Sequence, residues 1–109
     1  MPAAPKLPAS VKVGHRDIAI VLASRAELDG AYGDFLDDAQ RIRLDRERKP
    51  QSQAETLIHE ILHACWPAHW SLVGDVEETF VSTLAPRLAA VWRDNPALVD
   101  WLSHNLGAV

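Results

Sequence analysis

The sequence has a single cysteine, Cys65, in 109 residues, so no disulfide can form within the chain. It has no run of Lys or Arg longer than two, and its formal net charge is -4. Such a surface repels a phosphate backbone and disfavours nucleic acid as a partner. No apolar stretch approaches the ~20 residues needed to span a bilayer, so no membrane partner is expected. Residues 1–10 are rich in Pro and Ala and lack the apolar region of a secretory signal. These absences together favour a cytoplasmic, reducing location. Internal repeats and low-complexity tracts are also missing.

What remains is an ordinary globular composition, with 48% apolar and 24% charged residues. That suits one domain with one core over residues 1–109, preceded by an irregular arm over 1–10. From Val11 to Leu22 apolar residues alternate, with Ile18, Ile20 and Leu22 on one face, which is a strand pattern. Tyr32 and Phe35 fall in a second segment, 30–36. Asp37-Asp38 offers a turn, and Arg41-Ile42-Arg43-Leu44-Asp45 alternates again. Residues 31–45 therefore read as a hairpin.

Helix signals begin after the charged loop 46–50. Ser52 and Glu55 match a capping box, and Ala54, Leu57, Ile58, Ile61, Leu62 and Cys65 recur at helical spacing. Pro67 should end that helix near Cys65-Trp66. A second helix fits 76–93, with Val81, Leu84, Leu88, Val91 and Trp92 on one face. Asn95-Pro96 reads as a cap followed by Pro at the first helical position of a third helix, 96–106. The expected class is α+β: a small, mostly antiparallel sheet, an active-site helix, a long backing helix and a short C-terminal helix.

The first helix carries His59-Glu60-Ile61-Leu62-His63. Histidines at i and i+4 project from one face, one turn apart. Both imidazoles can reach one zinc ion at about 2.0 to 2.1 Å. Glu60 emerges beside that metal rather than on it. Zinc lowers the pKa of a bound water toward about 7, and Glu60 can take its proton as it attacks a carbonyl. The same carboxyl can deliver the proton to the leaving amine. A surface helix with two incidental histidines would carry charge at Ile61 and Leu62, and this one does not.

A catalytic zinc needs a third protein ligand and one open position. His69 lies six residues after His63, the metzincin spacing, but Trp66 and Pro67 replace the glycine turn that pattern requires. Glu77 and Glu78 open the second helix. Glu77 points along the middle of the apolar face, whereas Glu78 lies on its flank and could instead partner Asp75 in a capping box.

With these residues in hand, the chain resembles the small gluzincin-like zinc peptidases, including the minigluzincins and short phage- or prophage-encoded relatives. The resemblance covers about residues 30–100. Its pieces are Tyr32-Gly33 with Ile42-Arg43-Leu44, then Thr56 to Ala64 around the His-Glu motif, then Glu77 to Val81 leading to Asp94-Asn95-Pro96. It implies a zinc-dependent metallopeptidase that hydrolyses a protein or peptide substrate, with His59, His63 and Glu78 on the metal and Glu60 as general base. It also implies an edge strand within 31–45 that binds the substrate backbone, and a latent form with Trp101 to Val109 over the cleft. A non-catalytic, zinc-stabilised interaction module of degenerate peptidase fold is the alternative.

Other residues read more plainly. Cys65 falls with Ile58, Ile61 and Leu62, as a buried structural cysteine would. Trp66 and Trp70 fit closure of the core where the first helix ends, or a substrate pocket wall. Trp92 and Trp101 suit packing between the last two helices. Arg41, Arg43, Arg46, Arg48 and Lys49 form a basic edge, expected to be solvated. His15 and His104 have no partner signal, and Tyr32 or a histidine could stabilise an oxyanion.

Overall fold

The computed structural model describes residues 4–66 and 76–107, with the side chains of 76–78 and 81 also outside the description. Four strands and three helices follow in the order β1 (Ser10–Val13), β2 (Arg16–Ala23), β3 (Gly33–Leu36), β4 (Arg41–Asp45), α1 (Pro50–Cys65), α2 (Val76–Asp94) and α3 (Pro96–Leu106). The fold class is α+β, as expected, with the strands in one sheet of order β1-β2-β4-β3.

Both outer pairings are antiparallel and the central pairing of β2 with β4 is parallel. One sheet face presents Val11, Val13, Ile18, Ile20, Ile42 and Leu44 to the helices and buries them. The other carries Lys12, Asp17 and Arg41 into solvent, the division usual for a sheet covered on one side. Helix α1 lies against β3 and β4 and also touches α2 and α3, so it is the centre of the molecule. Leu57, Ile61, Ala54, Ala64 and Cys65 enter the core from α1, met by Leu98, Trp101 and Leu102 from α3 and by Leu84 and Val91 from α2. Trp92 is half-buried against the same cluster, so both late tryptophans pack as expected.

The segment 11–22 is a hairpin rather than one strand. Gly14 takes φ +63 in a Gly14-His15 turn, and Val11 pairs with Ile18 across it. Such a turn needs positive φ, which glycine adopts without steric cost. The arm before it is anchored: Leu7 packs on the core and the Ile20 amide donates to the Ala9 carbonyl at 2.9 Å. The 31–45 hairpin is present, with a turn over 37–40 closed by Gln40 at φ 48.

One helix start and one cap differ from expectation. Helix α1 begins at Pro50, with Lys49 as N-cap and no side-chain cap bond, and Ser52 accepts from Arg48 Nε at 3.0 Å. Pro50 supplies the helical φ at the first position, where a backbone amide would have no partner within the helix, so the helix starts two residues before the capping-box position. Helix α3 does begin at Pro96, but the Asn95 side chain does not cap it. Its amide donates to the Lys12 and Val91 carbonyls at 2.9 and 2.7 Å, and its oxygen accepts from the Lys12 amide at 2.8 Å. Asn95 thereby hydrogen-bonds the outer edge of β1 as a backbone peptide would. No described helix is long and apolar enough to cross a membrane.

Candidate metal centre

Residues 52, 56, 59 and 63 recur every three or four positions along one stripe of α1, with Glu60 on its flank and Trp66 just past the helix end. Facing them is β3, held close because Gly33 has no side chain. A Cβ there would lie 2.6 Å from the Arg43 carbonyl oxygen and 2.7 Å from Thr56 Cγ2. Glycine at 33 is thus the condition for the helix to approach the strand.

The His59 and His63 rings meet edge to face, with centroids 4.8 Å apart, and both are exposed. Their Nε2 atoms are 3.2 Å apart. Two nitrogens about 2.05 Å from one ion would subtend an angle of roughly 100° at this separation, close to tetrahedral. The same distance also suits one N–H···N bond between the rings. Glu60 completes a cluster whose ligand atoms all lie within 4.8 Å of one another. Two imidazoles at this separation are donors that a divalent transition metal accepts.

Glu60 is buried, at 6% exposure, though it stands between two exposed histidines. Burial pushes its carboxyl above the usual glutamate range, His59 and His63 pull it partly back, and Asp34 adds to the rise. A carboxylate raised in this way is a stronger proton acceptor than a solvated one.

A groove of about 520 Å³ runs past Gly33, Asp34, Phe35, Asp37, His59, Glu60, His63 and Trp66. The β3–β4 register makes one wall of it chemically specific. The Asp45 amide donates to the Tyr32 carbonyl at 3.0 Å, so in the alternating antiparallel ladder Tyr32, Asp34 and Leu36 face β4. The backbone N–H and C=O groups of Gly33 and Phe35 therefore point to the edge that no other described strand pairs, toward the groove. Asp34 is held by a two-pronged bond from Arg43, at 2.9 and 2.6 Å.

Arg16 had no signal in the sequence, because it fell inside the expected 11–22 strand with no partner pattern around it. In the structure it donates to the Ala64 carbonyl at 2.7 Å and to Asp37 at 3.0 Å, tying the end of α1 to the β3–β4 turn. Arg87 donates to the Cys65 carbonyl at 3.4 Å. Two cations thus sit on the C-terminal carbonyls of α1, where the helix dipole favours them. Cys65 beneath them is buried, and burial pushes its thiol up against the opposing pull of Arg87 and Arg16. It is a packing residue rather than a nucleophile.

Trp66 does both things considered for it: it packs on the core edge, 5.5 Å from the Phe80 ring, and lines the groove. Glu77 and Glu78 stand in the first turn of α2, which packs against α1. The side chains of Glu77 and Glu78 lie outside the described residues, as do His69 and Trp70. Of the C-terminal segment, Trp101, Leu102 and Asn105 are buried in the core, and no described residue of α3 lines the groove. A cover over the cleft from this segment would require α3 to leave the core. Compared with known proteins, the chain matches no family model, no curated protein and no solved structure.

Proposed function

We propose that the protein is a zinc-dependent metallopeptidase that cleaves an extended peptide laid along β3. The observation that carries this reading is the 3.2 Å approach of two histidine Nε2 atoms, with a buried carboxylate beside them, at the wall of an open strand edge. His59 and His63 would hold the ion, with Glu78 as third ligand and Glu77 in reserve. When bound, zinc supplies Lewis acidity, polarising the scissile carbonyl and acidifying water.

The remaining work falls to the chain's own residues. The Gly33 and Phe35 backbone groups bind the substrate main chain by strand addition, which fixes its orientation. Glu60 accepts the proton of the attacking water as its oxygen bonds to the carbonyl carbon. As the C–N bond breaks, Glu60 returns that proton to the leaving nitrogen. Its burial keeps competing solvent off the carboxylate. A zinc site that served structure alone would close its fourth position and leave Glu60 without a role.

Metal analysis of protein purified without chelator tests the first half: about one zinc per chain is expected, and none would end the proposal. Glu60→Gln tests the second. It should retain zinc and lose peptide cleavage by roughly 10²- to 10⁴-fold; cleavage at the wild-type rate would remove the general-base role.

A further inference from the structure

The groove does not end at the histidines. It continues past Gly33 and Thr56 to a second mouth lined by Tyr32, Arg48, Lys49, Gln51, Ser52 and Glu55. Ser52, Thr56, His59 and His63 stand on one stripe of α1, so the two mouths and the histidines share one helical wall.

Arg48 at the far mouth is held in place. Its Nε donates to Ser52 Oγ at 3.0 Å, and its guanidinium carbon lies 3.7 Å from the Tyr32 ring centroid. Arg16, Arg25, Arg43 and Arg93 are each paired with a carboxylate. Arg48 and Lys49, among the described residues, form no ion pair. A guanidinium fixed by a hydroxyl and a ring, within electrostatic reach of Asp45 but bonded to no carboxylate among the described residues, is pre-organised for one. Glu55 is exposed on the same wall and lines both this mouth and the stretch beside His59, so one carboxylate offsets part of the positive charge of Arg48 and Lys49. It disfavours an acidic side chain close to the metal.

We propose that Arg48 and Lys49 select substrates carrying an acidic side chain about three residues from the scissile bond. The inference rests on the peptidase reading of the same groove. The spacing follows from geometry: Ser52 and His59 are seven residues apart, roughly 10 Å along a helix axis. An extended peptide covers that in about three residues at ~3.3 Å each.

The test uses the zinc-loaded full-length protein on a peptide library of mixed sequence, with cleavage sites read by mass spectrometry. Asp and Glu should be enriched at one position about three residues from the cut, and less so at high salt. The Arg48→Gln/Lys49→Gln variant should lose that enrichment, with KM for an acidic peptide rising roughly tenfold and kcat little changed. Arg48→Glu/Lys49→Glu should enrich Lys and Arg there instead. In parallel, zinc-loaded Glu60→Gln protein is titrated with labelled Gly-Ser-Ala octapeptides bearing two Glu, two Gln or two Lys at one end.

Cleavage without acidic enrichment overturns the inference and leaves the peptidase reading intact. Absence of cleavage, with the Glu peptide bound about tenfold more tightly than the Gln peptide through Arg48, keeps the selective mouth and overturns the peptidase. Neither cleavage nor preferential binding overturns both.

Discussion

The two faces of α1 differ as sharply as any two regions of the molecule. Toward the core, Ala54, Leu57 and Ile61 have no exposed surface, and they are held by shape and apolar area. Toward the groove, Glu55, His59 and His63 are exposed and pack against little. Glu60 stands where the faces meet, buried like the first set and ionisable like the second. One helix thus separates the core from the candidate metal site by angle, and the residue at the boundary has its proton affinity raised by burial.

Paired substitutions test that separation most strongly. Leu57→Ala should cost about 3 kcal/mol, the transfer term plus the cavity left in a fully buried site. His63→Ala should change the stability of the zinc-free protein by no more than about 0.5 kcal/mol, as exposed substitutions do. It should nonetheless abolish zinc binding. Denaturant midpoints and metal stoichiometry on both variants decide the matter. A His63→Ala loss comparable to that of Leu57→Ala would show that the groove face also carries the fold.

That angular separation is why α1 was so legible in the sequence. Apolar residues at helical spacing define one face, and the histidines at i and i+4 fall outside it. The later helices were equally readable, since Pro96 marks a start and their apolar stripes are long. The hairpin of β1 and β2 was hidden by its own alternation. Its signal lies in parity: Val11 and Val13 are odd, Ile18 and Ile20 even, so one straight strand would put them on opposite faces. The turn at Gly14 restores them to one face.

Long-range polar bonds left no such trace. Asn95 beside a proline has the composition of a cap, yet β1 lies close enough to take both its donor and its acceptor groups. Ser52 and Glu55 have capping-box spacing, yet Pro50 starts the helix first and Arg48 takes the hydroxyl. Local pattern names what a side chain can do, and tertiary proximity decides which option is realised. Arg16 is the extreme case, because its partners Asp37 and Ala64 are 21 and 48 residues away.

Gly33 sharpens the comparison by linking the two faces. Its missing side chain lets Thr56 approach the strand, so core packing sets the width of the groove. Gly33→Ala should cost about 2 kcal/mol, within the usual range for forcing extra volume into a packed contact. His59 and His63 travel on one helix and keep their spacing, so zinc stoichiometry should stay near wild type. Loss of peptide binding together with retained zinc is the expected signature. An unchanged stability would mean that the helix is free to move away from β3, and that groove width is not set by this contact.

The smallest effect expected is at Asp45, which anchors the loop before α1 and lies off both faces. Its buried carboxylate accepts from the Glu47 amide at 2.9 Å and from Arg25 Nε at 3.1 Å. The Glu47 amide, chiefly, and then the Arg25 guanidinium hold its carboxyl below the usual aspartate range, against the opposing effect of burial. A depressed carboxyl binds fewer protons in the folded state than in the unfolded chain. Its stabilising contribution is therefore complete above the unfolded value of about 3.9 and is lost as the pH falls through the lower folded value. Asp45→Asn removes that charge while keeping the shape. Zinc-free thermal melts should find the variant less stable than wild type at pH 7, with the two converging as the solution is acidified below the ordinary aspartate range. A gap that stayed constant with pH would assign the effect to lost hydrogen-bond geometry alone. The α1 entry would then be held by shape, as its inner face is, and not by charge.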